Sequence, residues 1–203
     1  MFNIQQTVGM FFENLVAELL GLEILDNNMS EKLPDLKDKK ERFFMEVKAS
    51  RFDNGGVVKG WQLEEHKNFM PCFYAFAFHE AEKPMNQYYP TKKSLENDLY
   101  LRSLYIFSFD IVEAQYTRFN KRPYKTGDDF SQIKESLASN IFQGKKRVWN
   151  KLKLTFEDYC EVQQGGNVFV MAKDKSQIEM ILENYHPEVL GKYPLNNIAK
   201  AVV

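Results

Sequence analysis

The chain has 203 residues, 44% of them hydrophobic, 27% charged and 14% aromatic, with a formal net charge of −1. This is the length of one domain and enough apolar mass for a core, which excludes a largely disordered chain. No run approaches the roughly 18 apolar residues that span a bilayer, and Cys72 and Cys160 are too isolated for a disulfide scaffold or a zinc knuckle.

The N-terminal stretch lacks a basic leader region, and Glu13 and Glu18 interrupt its apolar residues, so it reads as neither signal peptide nor anchor. With no disulfide framework, the expected compartment is a reducing cytoplasm, with no membrane partner. The near-zero net charge hides an asymmetry. Residues 1–31 carry five acids and no Lys or Arg, whereas residues 121–153 carry nine basic residues against three acidic ones. The second segment could form a basic face, or simply solvate a helix.

In chain order, residues 4–20 have the apolar spacing of an amphipathic helix, with Val8, Phe12, Leu15 and Leu19 on one stripe and Gly21 as C-cap. Asp26-Asn27-Asn28 marks a loop. Residues 33–36 and 43–49 read as two strands of a hairpin around the polar tip 37–41. Residues 53–56 form a turn, 60–69 a helix ending before Pro71, and the apolar run 72–78 a strand covered on both faces. Residues 80–103 read as loop and short helix, 104–109 as strand and 110–118 as helix. Residues 119–128 are turn-rich. The expectation is then helix over 129–142, strand over 151–156, turn over 163–166, strand over 168–172 and helix over 176–185. No internal repeat or linker divides the chain, so residues 1–203 read as a single domain of mixed strands and helices.

Several chemistries drop out. The GxxxxGK[ST], GxSxG and HExxH patterns are absent, and His66, His79 and His186 lack metal-ligand spacing. Residues 33–48 stand out. Asp35 falls on the first hairpin strand, and Glu46 and Lys48 fall two apart on the second, hence on one face. Antiparallel pairing brings Asp35 to Glu46, so two carboxylates and an ammonium converge. Mg²⁺ binds through one or two carboxylates, with water and phosphate filling its other positions. Such a site has what phosphodiester hydrolysis needs. The same residues also fit a surface hairpin in which Lys48 neutralises Glu46.

Pro34-Asp35 followed by Met45-Glu46-Val47-Lys48 resembles the motif of the PD-(D/E)xK nuclease superfamily. Gly9-Met10-Phe11-Phe12-Glu13 has the Gly-x-x-x-Glu form found in archaeal Holliday junction resolvases, and Trp61-Gln62-Leu63 falls where many members carry a Gln or Lys. The resemblance covers about residues 5–80; residues 81–203 stay unassigned, and no signature selects a subfamily. It implies an α/β fold of the restriction-endonuclease-like kind, a central mixed β-sheet flanked by helices. It further implies Mg²⁺- or Mn²⁺-dependent hydrolysis of DNA. Asp35, Glu46 and the Val47 carbonyl would hold the metal, with Glu13 helping directly or through water. Lys48 would act on the attacking water, and Gln62 would assist.

Outside the motif, Arg51 and Lys59 are candidate phosphate contacts, as are Lys145, Lys146 and Arg147 beside Trp149, and Lys121 and Arg122 beside Tyr124. His66 reads as structural or rim. Cutting both strands of a duplex needs two active sites, so a homodimer stays open. The alternative reading is a nucleic-acid-binding or partner-binding protein of the same fold without cleavage.

Overall fold

The computed structural model describes residues 3–25, 33–81, 89–119 and 130–193. Helix α1 (Ile4–Leu20) starts where the Asn3 side chain accepts from the Gln6 amide, and ends at Gly21, whose φ of 64° is the left-handed conformation glycine adopts freely. Its stripe Val8, Phe12, Leu15, Val16 and Leu19 is buried, as the spacing predicts.

The main sheet contains β1 (Glu23–Ile24), β2 (Leu36–Lys37), β3 (Phe44–Arg51), β5 (Cys72–Ala81), β6 (Leu99–Ser108), β8 (Cys160–Gln164) and β9 (Val168–Ala172). Its order is β1-β2-β3-β5-β6-β9-β8; β3 runs parallel to β5 and β6 to β9, and the other neighbours are antiparallel. A separate two-stranded ribbon pairs β4 (Gly56–Lys59) with β7 (Phe130–Ile133). The fold is therefore mixed α/β with a mixed central sheet, as expected. Among the described residues no helix is long and apolar enough to cross a membrane.

The remaining helices are α2 (Gly60–His66), α3 (Lys92–Glu96), α4 (Phe109–Phe119), α5 (Glu135–Phe142), α6 (Lys146–Leu152) and α7 (Lys175–Leu182). They divide over the two faces of the sheet. One apolar cluster joins Phe12, Val16, Met45, Val47, Ala75, Ala77 and Ile178. The other joins Leu63, Tyr74, Phe76, Phe107, Ile141 and Trp149. β5 shows why both form. Its alternate residues point to opposite faces, small Ala75 and Ala77 towards α1 and bulky Tyr74, Phe76 and Phe78 towards α2.

Four expectations need correction. The first hairpin strand is Leu36–Lys37, so Asp35 precedes it instead of lying within it. Residues 130–133 form β7, and only 135–142 are helical; the helix-like spacing of Phe130, Ile133, Leu137 and Ile141 spans a strand and a helix joined at Lys134. Residues 151–156 are not a strand, because Lys151 and Leu152 end α6 and Lys153 turns left-handed at φ 57°. β6 begins at Leu99, five residues before the expected start, and β4 and β8 are additional strands. Asp26-Asn27-Asn28 and the basic segment with Lys121, Arg122 and Tyr124 lie outside the described residues.

Candidate active site at the open edge of β3

β2 is short, and that creates the site. It pairs with β3 only at Leu36↔Met45 and Lys37↔Phe44, so among the described residues no strand pairs with the rest of that edge of β3, while β5 pairs along the other edge. Continuing the register by one residue sets Asp35 opposite Glu46. There the Asp35 side chain takes over a ladder position, its Oδ2 accepting from the Val47 amide at 2.8 Å. The N–H and C=O of one strand residue face the same edge, so the Val47 carbonyl faces the open side as well.

Glu46 and Lys48 project together to the α2 side of the sheet. The Lys48 ammonium donates to Glu46 Oε1 at 2.5 Å and to Gln62 Oε1 at 3.1 Å. Gln62 Nε2 in turn donates to the same Glu46 oxygen at 3.1 Å. Gln62 reaches them because β4 delivers the chain directly into the first turn of α2. Gly60 opens that turn, and Tyr116 of α4 packs so closely on it that an added Cβ would stand 2.0 Å from the hydroxyl. Only glycine fits there.

Glu13 joins from the other face. Its carboxyl is pushed up first by burial and then by the charge of Glu46, against which Lys48 pulls. Asp35 is pushed up to about 8 by burial, then by Glu46 and Glu13, while Lys48 and the Val47 amide pull it down. Three carboxyls from α1, the β2 approach and β3 thus share one electrostatic field with a single buried-side ammonium.

Glu46 is 3% exposed, and its Oε2 has no hydrogen-bond partner among the described residues. Nε2 of His66 lies 3.7 Å away, beyond hydrogen-bond reach. His66 is fully buried and its Nδ1 lies 2.7 Å from the Tyr74 hydroxyl. Burial lowers its pKa, so the ring is neutral. A neutral ring that accepts from tyrosine at Nδ1 carries its proton on Nε2, aimed at Glu46. Tyr74 was invisible as a site residue in the sequence, although the β3–β5 register sets it beside Glu46. His66 carried a signal, being one helical turn after Gln62.

Among the described residues no group of three His, Cys, Asp or Glu is close enough to hold a metal ion on its own. A hard divalent cation needs fewer protein ligands than that. An unpartnered buried carboxylate oxygen, mutually repelling carboxyls and a carbonyl on an open edge suit such a cation. The residues that would hold it are Asp35, Glu46 and Val47, with Glu13 behind them.

The outlying sequence candidates scatter. Arg51 lies an odd number of residues from Glu46, hence on the opposite face of β3, and its Nε is 3.5 Å from Asp53. Lys59 sits over the Trp61 ring at 5.5 Å. Arg147 lines a basic cavity away from the carboxylates, whereas Lys145 and Lys146 are exposed and do not line it. No family model, no curated protein and no solved structure matches this chain.

Proposed function

We propose that the chain is a metal-dependent nuclease of the PD-(D/E)xK kind that hydrolyses DNA phosphodiesters with Mg²⁺ or Mn²⁺. The observation that carries this reading is the convergence of Glu13, Asp35, Glu46 and Lys48 at the open edge of β3. A surface hairpin with an accidental motif has no reason to bury Glu46, or to draw in a carboxylate from α1.

Hydrolysis adds the oxygen of water to phosphorus and breaks one P–O ester bond, leaving a phosphate monoester and an alcohol. A divalent cation, when bound, supplies positive charge for the phosphoryl oxygens and acidifies water. Asp35, Glu46 and the Val47 carbonyl would provide its oxygen ligands. Lys48 stands two residues from Glu46 on the same face, where its ammonium can orient the attacking water and offset negative charge gathering on the phosphoryl group. Gln62 holds Lys48 and Glu46 in register with each other.

The test is cleavage of linear, circular, single-stranded and branched DNA by wild type and Lys48→Ala, each with Mg²⁺, Mn²⁺ or EDTA. Metal-dependent cutting by wild type, lost in the variant with its fold intact, is the expected result. No cutting of any substrate by wild type would overturn the reading in favour of a binding protein.

A further inference from the structure

The second concentration of charge in the chain lies around a cavity of about 760 Å³ between α4, β7, α5 and α6. Arg118, Lys134, Arg147 and Lys151 line it, and none of the described residues in its lining is acidic. Lys134, Arg147 and Lys151 are exposed and have no ion pair among the described residues. Arg147 and Lys151 are four apart on α6, so they share a face and repel each other along it. Lys134, Arg147 and Lys151 without ion pairs among the described residues, and a helix that tolerates like charges at that spacing, ask for an anion. The volume suits a stretch of phosphate-bearing chain more than one small ion.

The cavity is tied to the active site. Phe130, in its lining, pairs with Lys59 across the β4–β7 ribbon, a separation of about 5 Å. Lys59 is one helical turn before Gln62, which holds Lys48 and Glu46.

We propose that this cavity holds the sugar-phosphate backbone of the DNA flanking the cleaved bond, through charge and without reading bases. The assignment of DNA as its ligand rests on the nuclease reading above.

The experiment measures binding of a fluorescent random-sequence duplex in EDTA across a salt series, for wild type, for Arg147→Gln/Lys151→Gln and for Lys175→Gln on the remote α7. Loss of two phosphate contacts weakens binding about tenfold at low salt and lowers the slope of log affinity against log salt by about 2. Lys175→Gln leaves the slope unchanged, and thermal melting shows each variant folded. Cleavage with Mg²⁺ is read on the same proteins. An unchanged slope in the double variant, with wild-type cleavage intact, overturns the cavity assignment and leaves the nuclease reading standing. A lowered slope in a protein whose wild type cuts nothing upholds the cavity and overturns the nuclease reading. Failure of wild type to bind the duplex overturns the proposal.

Discussion

The Asp35 carboxylate accepts the Val47 amide across the gap where β2 stops pairing with β3, at 2.8 Å. One oxygen is thereby spent on the backbone, and the other shares a crowded field with Glu46 and Glu13. Replacing Asp35 with Asn removes a carboxyl whose ionisation is opposed by burial and by Glu46 and Glu13. Asp35→Asn should melt at or above the wild-type temperature without metal, yet cut no DNA, a trade between stability and function. Adding Mn²⁺ should raise the melting temperature of wild type and leave that of Asp35→Asn unmoved, because a ligand stabilises only the state that binds it. A metal-induced shift of equal size in both proteins would remove Asp35 from the ligand set.

His66 is placed as a positioning residue for Glu46, its Nε2 facing the far oxygen from 3.7 Å while Tyr74 fixes the ring. Supports of this kind contribute about 10–100-fold to metal affinity. His66→Phe should therefore weaken Mn²⁺ binding by about that factor in calorimetric titration, with the apo fold retained. Tyr74→Phe, which frees the ring without removing it, should fall between that variant and wild type.

His79 supplies a pH dependence. It is buried, its ring stacks on Phe12 at 4.9 Å, and burial together with Arg51 lowers its pKa to about 4, against weaker pulls from the Glu80 backbone and Asp53. The unfolded chain takes up this proton near the ordinary histidine value of about 6.5. Between those values the unfolded state binds more protons, so stability falls on acidification, by at most about 1.4 kcal/mol per pH unit. Denaturant midpoints measured from neutral pH down to about 4 should fall less steeply in His79→Phe than in wild type. Parallel curves would mean that His79 is already protonated in the folded chain.

The hairpin that carries the motif is closed by Asp38. Its buried carboxylate accepts the Lys40 and Arg42 amides at 3.2 and 3.3 Å and the Arg42 guanidinium at 2.7 and 3.1 Å. Arg42 holds this carboxyl below its ordinary pKa, so its stabilisation is present above that ordinary value and is lost as pH falls through the lowered one. Asp38→Ala leaves two backbone donors unanswered and should lower unfolding stability by about 1–3 kcal/mol in urea at neutral pH. An unchanged midpoint would show the tip to be held by the pairing of β2 with β3 alone.

The site was legible where a period or a register governed it. The two-residue spacing of Glu46 and Lys48 put them on one face, and hairpin pairing alone brought Asp35 opposite Glu46. The apolar stripe of α1 and its Gly21 stop were equally plain. Residues 151–156 misled because Leu152, Leu154 and Phe156 alternate like a strand, while a left-handed Lys153 ends a helix among them. Residues 130–142 misled because a strand and a helix in series reproduced one helical period. The pairing of β4 with β7, the open edge of β3 and the His66–Tyr74 contact depend on residues far apart in sequence, and no local pattern encodes them.

Ala75 and Ala77 face α1, while Phe76 and Phe78 face the α2 side of the same strand. The sheet therefore has a thin side and a thick side. The thin side lets α1 settle low enough for Glu13 to feel Glu46 past the strand edge, and the thick side carries Gln62 at the height of the Lys48 ammonium. Layer spacing sets the reach of each arm. A bulkier residue at position 75 would lift α1 and withdraw Glu13 while Glu46, Lys48 and Gln62 stayed together, so the focus of the candidate site is adjusted from inside the hydrophobic core.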